Sequence, residues 1–426
     1  MPKKPSSWGI QEYVPQGNGD ASGEYADDQG NNTHFTNFVN PNSPPKVNVK
    51  KPPISTPKID APKVDVPKVD EQSSETETPI QVTGGGSSKN FEQLLKSKQK
   101  DFRDELRNSY SSGDNDSKDV LENAIENYGL EINRSRKKFS YYQKDWDGKS
   151  SVNYTKGVLD ESTTKALGET FWHENWHFFD NNFAFDLRDR DELHDVPLSP
   201  RQIDSMNLST HKTLSNGKTL EQTLQAEMQE LMDNGTFDKI IADSKEQENR
   251  INEEAERYAK DPRSVEYSKL YNQLGNEFDK INPIHISLRN WTKAAEQLAE
   301  MMAMKKEYVL NHIDPELRDF VVEHNDKLSD LQKEKYDRYS TLSDLYGLHN
   351  HIGYGFMKSG HDESYSYHSG ALANEFMAEC GSAFTRTDKR AKREVEMLKK
   401  YLPNSTKAFE ELRALIVNHI RSKKNG

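Results

Sequence analysis

The sequence predicts a mixed α+β fold dominated by helix, and three observations carry that expectation. Apolar residues recur at three- and four-residue spacing through most of residues 91–426. Only two short stretches, Lys138–Gln143 and Ser151–Leu159, carry a strand-like pattern. The first ninety residues show neither period and are rich in Pro, Gly, Asn, Ser and Lys.

Composition sets the limits. Of 426 residues, 32% are apolar and 30% charged, with a mean hydropathy of -1.00. So polar a chain cannot bury a core along its whole length. No run approaches the roughly 18–20 apolar residues that span a bilayer. Met1–Gly9 has no apolar run behind its lysines, so no secretory signal is expected there. Lys+Arg 58 against Asp+Glu 70 leaves a net charge of -12, which argues against wholesale nucleic-acid binding. The single cysteine, Cys380, excludes an intrachain disulfide and a Cys-based zinc site, so any metal site must use His, Asp and Glu.

In chain order, residues 1–90 are expected to be a disordered tail and linker. The repeat Pro57-Lys58-Ile59-Asp60, Pro62-Lys63-Val64-Asp65, Pro67-Lys68-Val69-Asp70 places proline every fifth residue and favours an extended spacer. Gly84-Gly85-Gly86-Ser87-Ser88 marks a flexible join. Two helices follow, the first carrying Phe91, Leu95, Phe102 and Leu106 and the second Val120, Leu121 and Ala124. After the strand pair, a helix is expected from about Thr163 to Phe179. Residues 181–340 read as a helical insertion, with stripes at Leu220, Leu224, Met228 and Leu231 and at Trp291, Leu298 and Met302. Lys239–Lys260 is so charged that it suggests a long solvated or coiled-coil helix. Residues 341–372 read as loop, and three helices end the chain, near Ala373–Phe384, Asp388–Tyr401 and after Pro403. The basic helix Lys389–Lys400 reads as a solvated face, since no nucleic-acid motif accompanies it.

The residues that carry chemistry lie on the helix after the strands. His173-Glu174-Asn175-Trp176-His177 is an H-E-x-x-H motif. Residues four apart share a helical face, so both imidazoles can reach one Zn²⁺. Glu174 can then act as general base on a metal-activated water attacking a peptide carbonyl. A third ligand is required. His194, His211, His285 and His312 are candidates, but Glu375 and Glu379, again four apart, form the best one. One of the two can ligate while the other supports a ligand histidine. The Ser151–Leu159 strand, if it lies at a sheet edge, could pair with a peptide substrate.

His-Glu-x-x-His followed by Asn374-Glu375-Phe376-Met377-Ala378-Glu379 resembles the gluzincin-type zincin metallopeptidases, in the branch containing the anthrax lethal factor protease domain. The resemblance implies His173, His177 and Glu375 as zinc ligands, Glu174 as general base, and Glu379 and Asp180 as supporting residues. It also implies a tyrosine or histidine opposite the scissile carbonyl, with Tyr367 or His368 at the matching distance before Glu375 and Tyr365 as a third possibility. Leu342-Ser343-Asp344-Leu345-Tyr346, Gly353-Tyr354-Gly355 with Gly360-His361, and Lys399-Lys400-Tyr401-Leu402-Pro403 are similar to segments of metallopeptidase-like domains in phage minor head (MuF-type) proteins and polymorphic toxins. His361 itself reads as a loop histidine. Trp176 replaces a residue that is often glycine in these families and would narrow the site.

Together these place the parts of a zincin-like catalytic domain at residues 91–180 and 341–426, interrupted by the insertion. The implied activity is zinc-dependent endopeptidase action on a protein or peptide, in a phage- or toxin-associated setting. The alternative is a head- or virion-associated structural protein that keeps the fold without the catalysis. The expected location is the cytoplasm of the producing cell or a virion, with delivery into a target cell under the toxin reading.

Overall fold

The computed structural model describes residues 89–135, 137, 139–144, 149–162, 164–187, 206–283, 291–358, 360–361 and 363–425. The expected tail and linker over residues 1–90 therefore lie almost wholly outside the described residues, as do His194 and His285. Among the described residues the fold is helix-dominated with one three-stranded sheet.

Helices α1 (Lys89–Leu95), α2 (Lys100–Ser111) and α3 (Asn115–Asn127) open the domain. They bury Phe91, Leu95, Phe102, Leu106, Val120, Leu121 and Ala124. Asp114 caps α3 by accepting from the Ser117 N–H, which satisfies one of the four donors a helix start leaves free. The sheet follows, with β1 (Glu131–Arg134), β2 (Tyr141–Lys144) and β3 (Ser150–Tyr154) in the order β1-β3-β2. β3 is parallel to β1 (Ile132 opposite Val152) and antiparallel to β2 (Tyr142 opposite Val152). The expected edge strand is thus the central one, and β2 is at an edge.

Helix α4 (Glu169–Leu187) starts after a left-handed turn at Gly168, six residues later than the spacing suggests, and runs eight residues further. It is buried on nearly every side, unlike an amphipathic surface helix. Phe171, Trp172, Trp176, Phe178, Phe179 and Phe183 are all fully buried. Each such aromatic stabilises the core by roughly 1.5–3 kcal/mol. The sheet covers one flank: Tyr154 Oη donates to the Phe171 carbonyl, and Tyr142 packs edge-on against Phe178.

The expected insertion divides in two. α5 (Leu208–His211) and α6 (Leu220–Asp233) join the main core, where Leu208, Leu220, Leu224 and Met228 share a cluster with Phe376 and Phe409. α7 (Thr236–Lys260), α8 (Pro262–Ile281), α9 (Trp291–His312) and the first half of α10 (Pro315–Asn350) form a charged helical arm. α7 buries Phe237, Ile240, Ser244, Gln247, Ile251 and Glu254, a 3.5-residue period that fits a paired helix. Of the stripe expected on α9, Leu298 and Met302 are exposed and so take no part in a core, while the side chain of Trp291 lies outside the description. α10 continues ten residues into the segment expected to be loop, and so carries Thr341, Ser343 and Asp344 on helix.

After the short α11 (Glu363–Ser366), α12 (Ala371–Thr385) packs along α4, followed by α13 (Lys389–Tyr401) and α14 (Pro403–Asn425). α13 is not simply a solvated basic face: Arg390 and Arg393 both hold the buried carboxylate of Asp337 on α10. No described helix is long and apolar enough to cross a membrane.

Candidate metal centre

Helices α4 and α12 lie antiparallel, and a series of cross-links fixes how they face each other. At one end Arg386 pairs with Glu169 and Glu394, and Ser382 Oγ donates to the Glu169 carbonyl. In the middle, His173 and His177 face Glu379 and Glu375. At the other end Asp180 accepts from the N–H and hydroxyl of Ser209, and Asn374 accepts from the same hydroxyl. Trp176, one step round α4, points away from this face into the core. Its indole N–H donates to Thr385 Oγ1, and its ring lies where a Cβ on Gly381 would sit, only 2.0 Å away. Trp176 therefore does not narrow the site.

The donor atoms converge. His173 Nε2 and His177 Nε2 are 3.2 Å apart. Glu375 Oε2 lies 3.4 Å from His173 Nε2, and Glu375 Oε1 lies 3.4 Å from His177 Nε2. Tetrahedral ligands with bonds of about 2.0–2.1 Å sit about 3.3–3.4 Å from one another, so this spacing fits one Zn²⁺. A second observation agrees. Glu375 Oε2 is buried and has no hydrogen-bond partner among the described residues, a costly state for a carboxylate oxygen unless something binds it. The 198 positions between His177 and Glu375 are thus closed by the fold.

Supporting contacts surround the three. His173 Nδ1 is 3.3 Å from Glu379 Oε1, and Thr341 on α10 donates to Glu379 Oε2 at 3.0 Å. That leaves His173 Nε2 turned toward the centre, the arrangement expected of a ligand imidazole. Burial pushes the Glu379 carboxyl up, but His173 more than offsets this and holds it at about 2. Burial likewise opposes ionisation of Glu375, yet His361, His177 and His173 keep its carboxyl well below the usual range. For Asp180 burial wins over the Ser209 donors and the nearby His177, pushing it up to about 6. Glu174 is 2% exposed and close enough to raise the pKa of the Tyr365 phenol.

The tyrosine is not the one expected. Tyr367 is 64% exposed, stacked on His351, and its hydroxyl reaches Glu363; His368 is exposed as well. Tyr365 turns inward instead, donating to Glu375 Oε1 at 2.5 Å. On a helical turn, residues two apart point to nearly opposite sides, so only one of Tyr365 and Tyr367 can face the site. Burial and then Glu375 raise the Tyr365 pKa well above its usual value, so it remains a donor.

His361 is the residue that sequence reasoning missed. Its Nε2 is 3.5 Å from Glu375 Oε1, its Nδ1 is 3.1 Å from Asp344 Oδ2, and its ring stacks on Tyr365. The signal was its position after Gly360, a glycine in the left-handed region at φ 106°. Of the other candidate ligands, His211 and His312 are exposed and contact Thr210 and the Tyr308 carbonyl, away from the centre.

No protein-family model, curated protein or solved structure matches this chain. The functional reading therefore rests on the residues and their geometry.

Proposed function

We propose that this chain is a zincin-type, zinc-dependent metallopeptidase, with His173, His177 and Glu375 as the ligands and Glu174 as the general base. The observation that carries the reading is the convergence of His173 Nε2 and His177 Nε2, 3.2 Å apart, on the Glu375 carboxylate. Its Oε2 lies 3.4 Å from the first and has no hydrogen-bond partner among the described residues, and its Oε1 lies 3.4 Å from the second. Zinc held there supplies a Lewis acid and lowers the pKa of a water to about 7.

The remaining roles belong to the chain. Glu174 follows the first ligand on α4, where it accepts the proton of the attacking water and passes it to the departing amine. Tyr365, kept protonated by its surroundings, turns from Glu375 Oε1 to offer its hydroxyl to the oxygen that gains charge as the carbonyl is attacked. Glu379 and Thr341 hold the His173 ring, and Asp180 anchors the end of α4 to α5 through Ser209. The substrate class is protein or peptide, and a phage- or toxin-associated setting follows from the sequence resemblance.

Zinc content and cleavage of labelled casein test this together. Wild type should hold about one zinc per chain, and Glu375→Ala should lose it. Glu174→Gln should keep the zinc while cleavage falls about 10²–10⁴-fold. Equal cleavage by Glu174→Gln and wild type would overturn the catalytic assignment. One observation favours a second reading, a head- or virion-associated protein with a structural zinc: His173, Glu174 and Glu375 are at most 3% exposed. That reading expects zinc in wild type and no cleavage by any variant.

A further inference from the structure

We infer that Asp344 and His361 form a positioning pair for Glu375, holding the Oε1 side of its carboxylate so that the group keeps one orientation toward the metal. The inference rests on the metal centre proposed above.

The two oxygens of Glu375 have unequal surroundings. Oε1 is engaged by the Tyr365 hydroxyl at 2.5 Å, has His361 Nε2 at 3.5 Å and lies 3.4 Å from His177 Nε2. Oε2 has no hydrogen-bond partner among the described residues and lies 3.4 Å from His173 Nε2. A carboxylate free to turn about its last bond could offer a metal either oxygen or both. One held on its Oε1 side by hydrogen-bond donors keeps a single orientation.

His361 is itself held against rotation. Asp344 Oδ1 accepts from the His361 backbone N–H at 3.0 Å, and both Asp344 oxygens lie 3.1–3.3 Å from Nδ1. Tyr365 covers the ring at 4.3 Å between centroids and an angle of 25°. The approach depends on Gly360, where a Cβ would come within 2.0 Å of Asp344 Oδ1. Asp344 is carried by α10 and is nearly buried, so its own position is set by packing. The chain of contacts therefore runs from a rigid helix, through a fixed imidazole, to one oxygen of the third ligand.

The same three residues could be read as a second cation site, since Asp344, His361 and Glu375 offer ligand atoms within 4.8 Å of one another. The geometry disfavours this. Asp344 is occupied on the Nδ1 side of the ring, opposite the Nε2 that faces Glu375.

The test is zinc affinity by chelator competition and the visible spectrum of the Co²⁺ form, with circular dichroism to confirm folding. Wild type, His361→Ala, His361→Gln and Asp344→Asn are compared. Wild type should bind one equivalent. His361→Ala should bind zinc about 10–100-fold more weakly. Its Co²⁺ spectrum should change as the less firmly held carboxylate shifts at the metal. His361→Gln, whose amide can donate to Oε1, should recover most of the affinity, and Asp344→Asn should fall between. Wild-type affinity and spectrum in His361→Ala would overturn the inference and leave the metal centre standing. If His361→Ala does not fold, wild-type affinity in both remaining variants overturns it. Two equivalents of zinc in wild type, reduced to one by Asp344→Asn, would replace it with the second cation site. A wild type that takes up no zinc removes the metal centre and this inference with it.

Discussion

The two halves of α10 belong to different kinds of structure. Between Lys335 and Leu348 the helix is largely buried, and Asp337, Thr341, Ser343 and Asp344 each have a defined partner. Between Pro315 and Glu334 only Leu317, Val321 and His324 are buried, and the neighbouring arm leaves Val265, Ile281, Leu298, Met302 and Val322 exposed. The helix is continuous across that change. Polar groups are thus not what separates the halves. Those in the buried half are paired, with Thr341 and Asp344 reaching the residues around the metal centre, whereas the arm buries a few of its polar groups, such as Glu254 and His324, and leaves most of the rest to water.

The largest expected effect lies where charge is most deeply buried. Arg386 has a fully buried side chain and faces Glu169, Glu394 and Asp388. Arg386→Met would leave the buried Glu394 without its paired cation, while Glu169 keeps Lys165, at a cost of about 3–5 kcal/mol. Urea unfolding measures this, and a cost below about 1 kcal/mol would mean that the ends of α4 and α12 are not joined through it. A smaller effect is expected at Asp186, which holds the end of α4 to α14 through Lys423 and His419 and also accepts from Tyr128. Burial pushes this carboxyl up, but Lys423 and the other partners outweigh it, leaving it below its usual 3.8. A carboxylate depressed in the folded state contributes stability above the unfolded pKa and loses it as pH falls through the folded one. Asp186→Asn should therefore destabilise by no more than about 1 kcal/mol at pH 7, with the difference closing below about pH 4. The smallest effect is expected in the arm. Leu298→Ala, at a 45% exposed position, should stay within about 0.5 kcal/mol of wild type in the same urea series. A larger loss would show that the arm's apolar surface is covered in solution.

This contrast also explains what could be read from the sequence. His173, His177, Glu375 and Glu379 were legible because four-residue spacing on a helix fixes a shared face whatever the tertiary fold. The buried face of α7 was harder to see, since Ser244, Gln247 and Glu254 take core positions alongside Phe237 and Ile251. β1 gave almost no signal, because Ile132 is the one fully buried residue in its four. The choice among Tyr365, Tyr367 and His368 depended on the angle at which one helical turn meets the site, and local sequence does not set that angle. Asp344 was misplaced on a loop because Gly347 and the dense His, Tyr and Gly after it imitate a helix end. In the fold Gly347 is needed for a different reason: a Cβ there would come within 2.0 Å of the Gly353 carbonyl oxygen.

The antiparallel pairing of α4 and α12 has a consequence for how this protein tolerates change. Both helices carry their donors one turn apart, so the two rows resemble a ladder that could slip by a rung. A shift of one turn, about 5.4 Å, would bring Glu379 opposite His177 and leave His173 facing residues of another kind. The fasteners at the two extremes, Arg386 with Glu169 and Asn374 with Ser209 and Asp180, oppose such slippage. Inserting or deleting even a single residue between a donor and its fastener would turn that donor by about 100° and unmake the pocket, although both helices could still form.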